Sequence, residues 1–119
     1  MFKYLNINPE GETTGDCVIR AISLALDIDY FDALDALVKN AKYFNCDMLV
    51  KQCYTNMLDD LGFERYRGNG YTVKEIAEMY FKDKLVIRID GHLTCALYGD
   101  IYDIWNPSSE IVDEFWIIR

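Results

Sequence analysis

Apolar positions recur with helical spacing through the first half of the chain and gather into short runs in its last third. From Asp16, the positions Val18, Ala21, Ile22, Ala25 and Leu26 mark one face of a helix. Asp16 is its expected N-cap, because a carboxylate accepts from the free N–H groups of a first turn. A second helix is predicted over 30–44, with Phe31, Leu34, Leu37 and Val38 as its buried stripe. A third is predicted over 47–61, stopping at Gly62. "FERYRGNGY" reads as a strand entering a turn, and "TVKE" (Thr72 to Glu75) as the capping box of a fourth helix carrying Val73, Ile76, Ala77 and Tyr80. "KLVIRID", "HLTCALY", "IYDIW" and the closing "EFWIIR" are β-rich, the first three separated by Gly91 and by Gly99-Asp100. Residues 1–8 read as a short strand or extended arm. Helices first and strands afterwards predict one α+β domain over 1–119, its helices packed on one side of a C-terminal antiparallel sheet.

Composition narrows the possible partners. The chain has 119 residues, 51% of them hydrophobic and 27% charged, which suits a globular domain with its own core. A net charge of -8 argues against a nucleic-acid partner, whose phosphates are met by clustered Lys and Arg. Asp27, Asp29, Asp32 and Asp35 fall on helix faces, as solvated acids do, rather than forming a nucleic-acid mimic. No run approaches the roughly 18 apolar residues of a membrane span, and the first residues lack a signal-peptide core. A cytoplasmic protein without a membrane partner is expected.

The cysteines and the histidine carry the candidate chemistry. Cys17, Cys46, Cys53 and Cys95 make no Cys-x-x-Cys pair, and His92 is the only histidine, so neither a metal nor a cofactor is expected. In a reducing compartment no disulfide is expected either. Cys46 and Cys53, seven apart, read as two turns on one helical face and as free core residues. Cys17, by contrast, falls in the first turn of the first helix, where the positive end of the helix dipole favours a thiolate. Taken alone, it fits a small buried residue at a helix start, and His92 alone fits a strand residue capping a backbone group. Together they are a nucleophile and an acid–base partner, provided a third residue orients the imidazole.

Sheet parity selects that third residue. A two-residue turn at Gly99-Asp100 pairs Leu97 with Tyr102 and puts Asp103 and Trp105 on the face of His92, with Asp103 several residues along the strand. A three-residue turn brings Asn106 nearly opposite His92. Asn106 is the first expectation and Asp103 the second.

The order of cysteine at a helix start, histidine at a strand start, and Asn or Asp after the next strand resembles the papain-like fold. "GDCVIRAI" followed by "GHLTCALYGDIYDIWNPS" is similar to small papain-fold proteins of phages and their bacterial hosts, and to bacteriocin-leader peptidases. The resemblance implies a minimal papain-like fold, with Cys17 as nucleophile, His92 as general base and Asn106, before Pro107, as orienter. It further implies a cysteine peptidase or isopeptidase that acts on a peptide or protein through an acyl-enzyme. The family's glutamine before the cysteine has no counterpart here; the Cys17 N–H and the Asn8 amide are the oxyanion donors expected instead. Asp16, beside the thiol and one helical turn from Arg20, and Trp105, beside Asn106, complete the candidate site. A second reading keeps the fold without the chemistry: a non-enzymatic binding protein, such as an inhibitor of a host defence protein, working through its acidic surface.

Overall fold

The computed structural model describes residues 1–13 and 15–119. Among these, the chain forms β1 (Phe2–Tyr4), α1 (Cys17–Leu26), α2 (Tyr30–Phe44), α3 (Lys51–Asp60), β2 (Glu64–Arg67), α4 (Val73–Met79), β3 (Lys84–Ile89), β4 (His92–Leu97), β5 (Asp100–Asp103) and β6 (Glu114–Ile118). The α+β class follows directly: four helices accompany one six-stranded sheet in the order β1-β5-β4-β3-β6-β2. No helix among the described residues is long and apolar enough to cross a membrane.

Three features of the sheet differ from the sequence expectation. It is mixed rather than antiparallel, because β1 from the N-terminal arm runs parallel to β5. Its far edge, β2, comes from the helical half and pairs antiparallel with β6. Its helices also lie on both faces. Val86, Leu93, Cys95, Trp116 and Ile118 pack with α1, α2 and α3, whereas Leu85, Ile87, Ala96, Phe115 and Ile117 pack with α4. Alternate residues of β3 and β6 are thus buried on opposite sides, which is why "LVI" and "FWII" are continuous apolar runs.

Helix ends set the connections. Asp29 caps α2 by accepting from the Phe31 N–H at 2.9 Å, and Asn45 closes it in the left-handed region at φ 52°. The third helix starts at Lys51, later than expected, because Asp47 folds back to accept from the Leu49 N–H at 3.1 Å. Cys46 therefore lies past the end of α2 and Cys53 within α3, rather than on one helix face. Their Cα atoms are 5.7 Å apart, a span a disulfide bridges, and the two are bonded, contrary to the expectation of free thiols. The capping box of α4 forms as expected: Thr72 Oγ1 accepts from the Glu75 N–H at 3.2 Å, and Glu75 Oε1 from the Thr72 N–H at 3.0 Å.

The β4–β5 turn has the largest consequence for His92 and its partners. It uses Tyr98 and Gly99, with φ of 53° and 89°, instead of Gly99 and Asp100. Positive φ at both central residues is the primed geometry that matches strand twist. Leu97 consequently pairs with Asp100, Ala96 with Ile101 and Cys95 with Tyr102.

Candidate active site

Cys17 is the first helical residue of α1, and the Arg20 N–H already bonds to the Asp16 carbonyl at 3.0 Å. The N–H groups of Cys17 and Val18 thus lie in the first turn, where a helix leaves its donors without internal acceptors. His92 opens β4 directly after the tight Asp90-Gly91 connection, in which Gly91 takes φ 66°. Cys17 and His92 line one cavity of about 240 Å³, and each shifts the titration of the other.

The shifted turn decides which residue holds the histidine. Continued by one residue, the observed register sets Asp103 against Thr94; continued by three, it sets Trp105 against His92. Parity is the same as in the two-residue alternative, but Asp103 now stands diagonal to His92, within reach. His92 Nε2 and Asp103 Oδ2 are 2.7 Å apart, with the two side chains 11% and 3% exposed. Nδ1 is then the ring nitrogen left for Cys17. The Trp105 ring lies 4.9 Å from the imidazole, tilted by 48°, and covers it from outside.

Asn106 does not take this position. The chain bends away after β5, and Asn106 Oδ1 accepts from the Ser108 N–H at 3.1 Å and from the Ser108 hydroxyl. Its amide organises an exposed turn, and Asp103 replaces it as the partner of His92. Asn8 is also committed elsewhere. Its Nδ2 donates to Asp16 Oδ2 at 2.9 Å and to the Tyr30 hydroxyl at 3.3 Å, while its Oδ1 accepts from the Glu10 N–H at 2.8 Å. Asn6, the other upstream amide, donates to the Glu12 carbonyl at 2.9 Å. Neither is free to meet an oxyanion.

Asp16 precedes α1 as expected, yet its carboxylate caps no backbone N–H. It is buried and bonded to Arg20, Asn8 and Tyr30. The Arg20 guanidinium in turn approaches Asp103 at 3.8 Å. Charges therefore alternate inward from Asp16 through Arg20 and Asp103 to His92 and Cys17. A buried carboxylate without such partners would be driven toward its neutral form. This arrangement turns the negative charge beside the thiol toward Arg20. The Asp16–Arg20 spacing of four on a helix was visible in the sequence; the link onward to Asp103 needed the sheet register.

The electrostatics favour a charged pair. Burial pushes the Cys17 thiol up, but hydrogen bonds from His92 and the Leu93 backbone, together with the imidazole's charge, bring it below its ordinary value. The negative charge of Asp103 opposes this. The Leu93 N–H is free for that role because the hairpin register turns it away from β3 and β5 ends before reaching it. Burial alone would lower His92; hydrogen bonds to Asp103 and Cys17 outweigh it and raise the imidazole to about 9. Burial likewise raises the Asp103 carboxyl, whereas His92 and the Ile104 N–H, each at 2.7 Å, hold it below the usual range. The two shifts run in opposite directions, the thiol downward and the imidazole upward, and each favours the charged form of its group.

Two cavity residues had no signal in the sequence. Tyr54 on α3 and Arg88 on β3 form part of the wall facing Cys17. Both are buried, and helix and strand periodicity place each simply in the core. Among the described residues no group of three or more His, Cys, Asp or Glu side chains converges to hold a metal ion. No family model matches the chain, and no curated protein or solved structure matches it.

Proposed function

We propose that this protein is a small papain-like cysteine peptidase or isopeptidase, with Cys17, His92 and Asp103 as its catalytic residues. The observation that carries the reading is the single imidazole held between two groups: Asp103 at 2.7 Å on Nε2 and the helix-start thiol on its other side, within a cavity. In the first step the Cys17 thiolate attacks an amide carbonyl carbon and the C=O electron pair moves onto oxygen. The His92 imidazolium gives its proton to the departing nitrogen, the C–N bond breaks, and a thioester remains on Cys17. Water then enters, His92 takes one of its protons, and hydroxide attack releases the acid and restores the thiolate–imidazolium pair. Asp103 fixes the ring's tautomer and stabilises its positive form throughout. No step requires a metal or cofactor. By the same resemblance a phage or bacterial-host setting belongs to the proposal, as does a cytoplasmic location, read from the lack of an apolar span and of a signal-peptide core in the sequence.

Alkylation by iodoacetamide across pH tests the reading. Wild-type Cys17 is expected to react well below the pH range of an ordinary thiol, and His92→Ala to return it to that range. An ordinary thiol profile in both proteins would overturn the proposal. The engagement of Asn6 and Asn8 favours a second reading, in which the same fold binds a host protein without chemistry, because both upstream amides are lost as oxyanion donors.

A further inference from the structure

Attack by Cys17 on a carbonyl would create a negative oxygen, and the donors nearest to it along the chain are the N–H groups at the start of α1. Removing one donor from such a site typically costs about a hundredfold or more in rate. The wall of the cavity offers another polar group. Tyr54 is 5% exposed and lines the same cavity as Cys17 and His92, although it comes from α3, far along the chain.

What surrounds Tyr54 fixes it as a donor. Its ring meets the edge of Trp116, with centroids 6.4 Å apart. The Arg88 guanidinium stacks over that same Trp116 at 5.5 Å and is held by Asp113 and Thr55, each at 2.9 Å, and by Glu114. Arg88 lines the same cavity wall as Tyr54. An arginine has only donors to give, so it can meet a phenol oxygen but cannot take the phenol hydrogen. Among the described residues that hydrogen finds no protein acceptor, and the phenol lines the same cavity as Cys17. Burial, the largest influence, raises the phenol above its ordinary value, so it stays protonated wherever the thiolate–imidazolium pair exists. A buried phenol backed by a guanidinium is a strong neutral donor.

We infer that the Tyr54 hydroxyl, together with the Cys17 backbone N–H, holds the oxyanion formed when Cys17 attacks a carbonyl. This inference rests on the proposed peptidase chemistry and supplies the donor that Asn8 does not. Tyr54 would then be a catalytic residue, with Arg88 positioning it.

Two reagents separate this inference from the reading beneath it. Iodoacetamide alkylates Cys17 by displacement of iodide from carbon, and no oxyanion arises. p-Nitrophenyl acetate acylates it: the thiolate adds to the ester carbonyl, the oxyanion forms, and its collapse expels p-nitrophenolate to leave an acetyl thioester. Tyr54→Phe removes one oxygen and keeps the ring against Trp116. It is expected to alkylate within about twofold of wild type, which also shows the site to be folded, while its p-nitrophenolate burst slows by about a hundredfold. Equal burst rates in the two proteins would overturn the role of Tyr54 and leave Cys17 reactivity standing. Parallel losses with both reagents would also overturn it, since Tyr54 would then be acting on the thiol. An unactivated thiol, or no burst in the wild type beyond that of Cys17→Ala, would remove the peptidase reading and the inference with it.

Discussion

Two free thiols in this molecule, Cys17 and Cys95, have opposite characters. Both feel the negative charge of Asp103, yet Cys17 is lowered whereas Cys95 is pushed up to about 12. Cys95 sits in the middle of β4, fully buried, and its Sγ faces the Tyr102 carbonyl at 3.7 Å. Burial dominates there, and the Arg20 charge offsets it only slightly. Cys17 is half-buried at the mouth of a cavity, with an imidazole and the Leu93 N–H pointed at it. A cation somewhere nearby is therefore insufficient. What makes a thiolate is a donor in direct contact, at a place where water and substrate can enter.

The harshest way to break this contrast removes the cation that sits between Asp16 and the Asp103 both thiols feel. Arg20→Met leaves Asp16 and Asp103 buried without it, and the loss of one partner from a buried pair costs about 3–5 kcal/mol. Urea denaturation should register that loss, whereas replacement of the exposed Lys39, paired with Asp35 on α2, should move the midpoint little.

His92→Ala acts on Cys17 alone. At pH 6 an ordinary thiol of pKa about 8.5 is less than about 1% ionised, so alkylation of Cys17 should fall by about a hundredfold. Cys95 should stay unmodified in both proteins until denaturant is added; mass spectrometry of alkylated peptides distinguishes the two sites.

Asp103→Asn should lower the His92 titration from about 9 toward its ordinary value, readable from the imidazole ring protons by NMR. The Cys17 alkylation rate at pH 8 should drop by about tenfold, since each pKa unit lost by the imidazolium is a factor of about ten in its equilibrium population above that pKa. Asn106→Ala should change it by less than about twofold, because that amide serves only the Ser108 turn. Equal effects of the two substitutions would erase the distinction between them.

The smallest effect is a pH dependence of stability. His92 is raised in the folded state, so its contribution is present in full below about 6.5 and is lost as pH rises through about 9. Cys17 is lowered, and its contribution has the opposite sense, being lost as pH falls through its folded value. Urea midpoints at pH 6.5 and pH 9.5 should differ more in the wild type than in His92→Gln, with the wild type weaker at the higher pH.

Much of this site was legible in the sequence. The apolar stripe from Val18 to Leu26 fixed the start of α1 and so the placing of Cys17, and Gly91 marked the start of β4 at His92. The choice between Asn106 and Asp103 turned on a single residue. Tyr98 adopts positive φ, which bulky residues seldom do, and glycine-based turn rules put the turn one position too late. That one step moved the pairing by two residues and brought the carboxylate to the imidazole. Tyr54 was beyond reach for a different reason. Its spacing on α3 is that of any core residue, and only the packing of α3 against α2, which itself packs on α1, brings it to the cavity. The disulfide was hidden similarly, since it depends on Asn45 ending α2 before Cys46.

The Cys46–Cys53 link anchors the first turn of α3, the helix that carries Tyr54, to the chain leaving α2. A handler of this protein consequently meets two opposed demands. Mercaptan added to protect the half-buried Cys17 thiol from oxidation also attacks the staple behind it, whereas its omission exposes that sulfur to air. Brief treatment with a mild reagent followed by prompt desalting would serve both, and assays run under strong reduction would sample a slacker cavity wall.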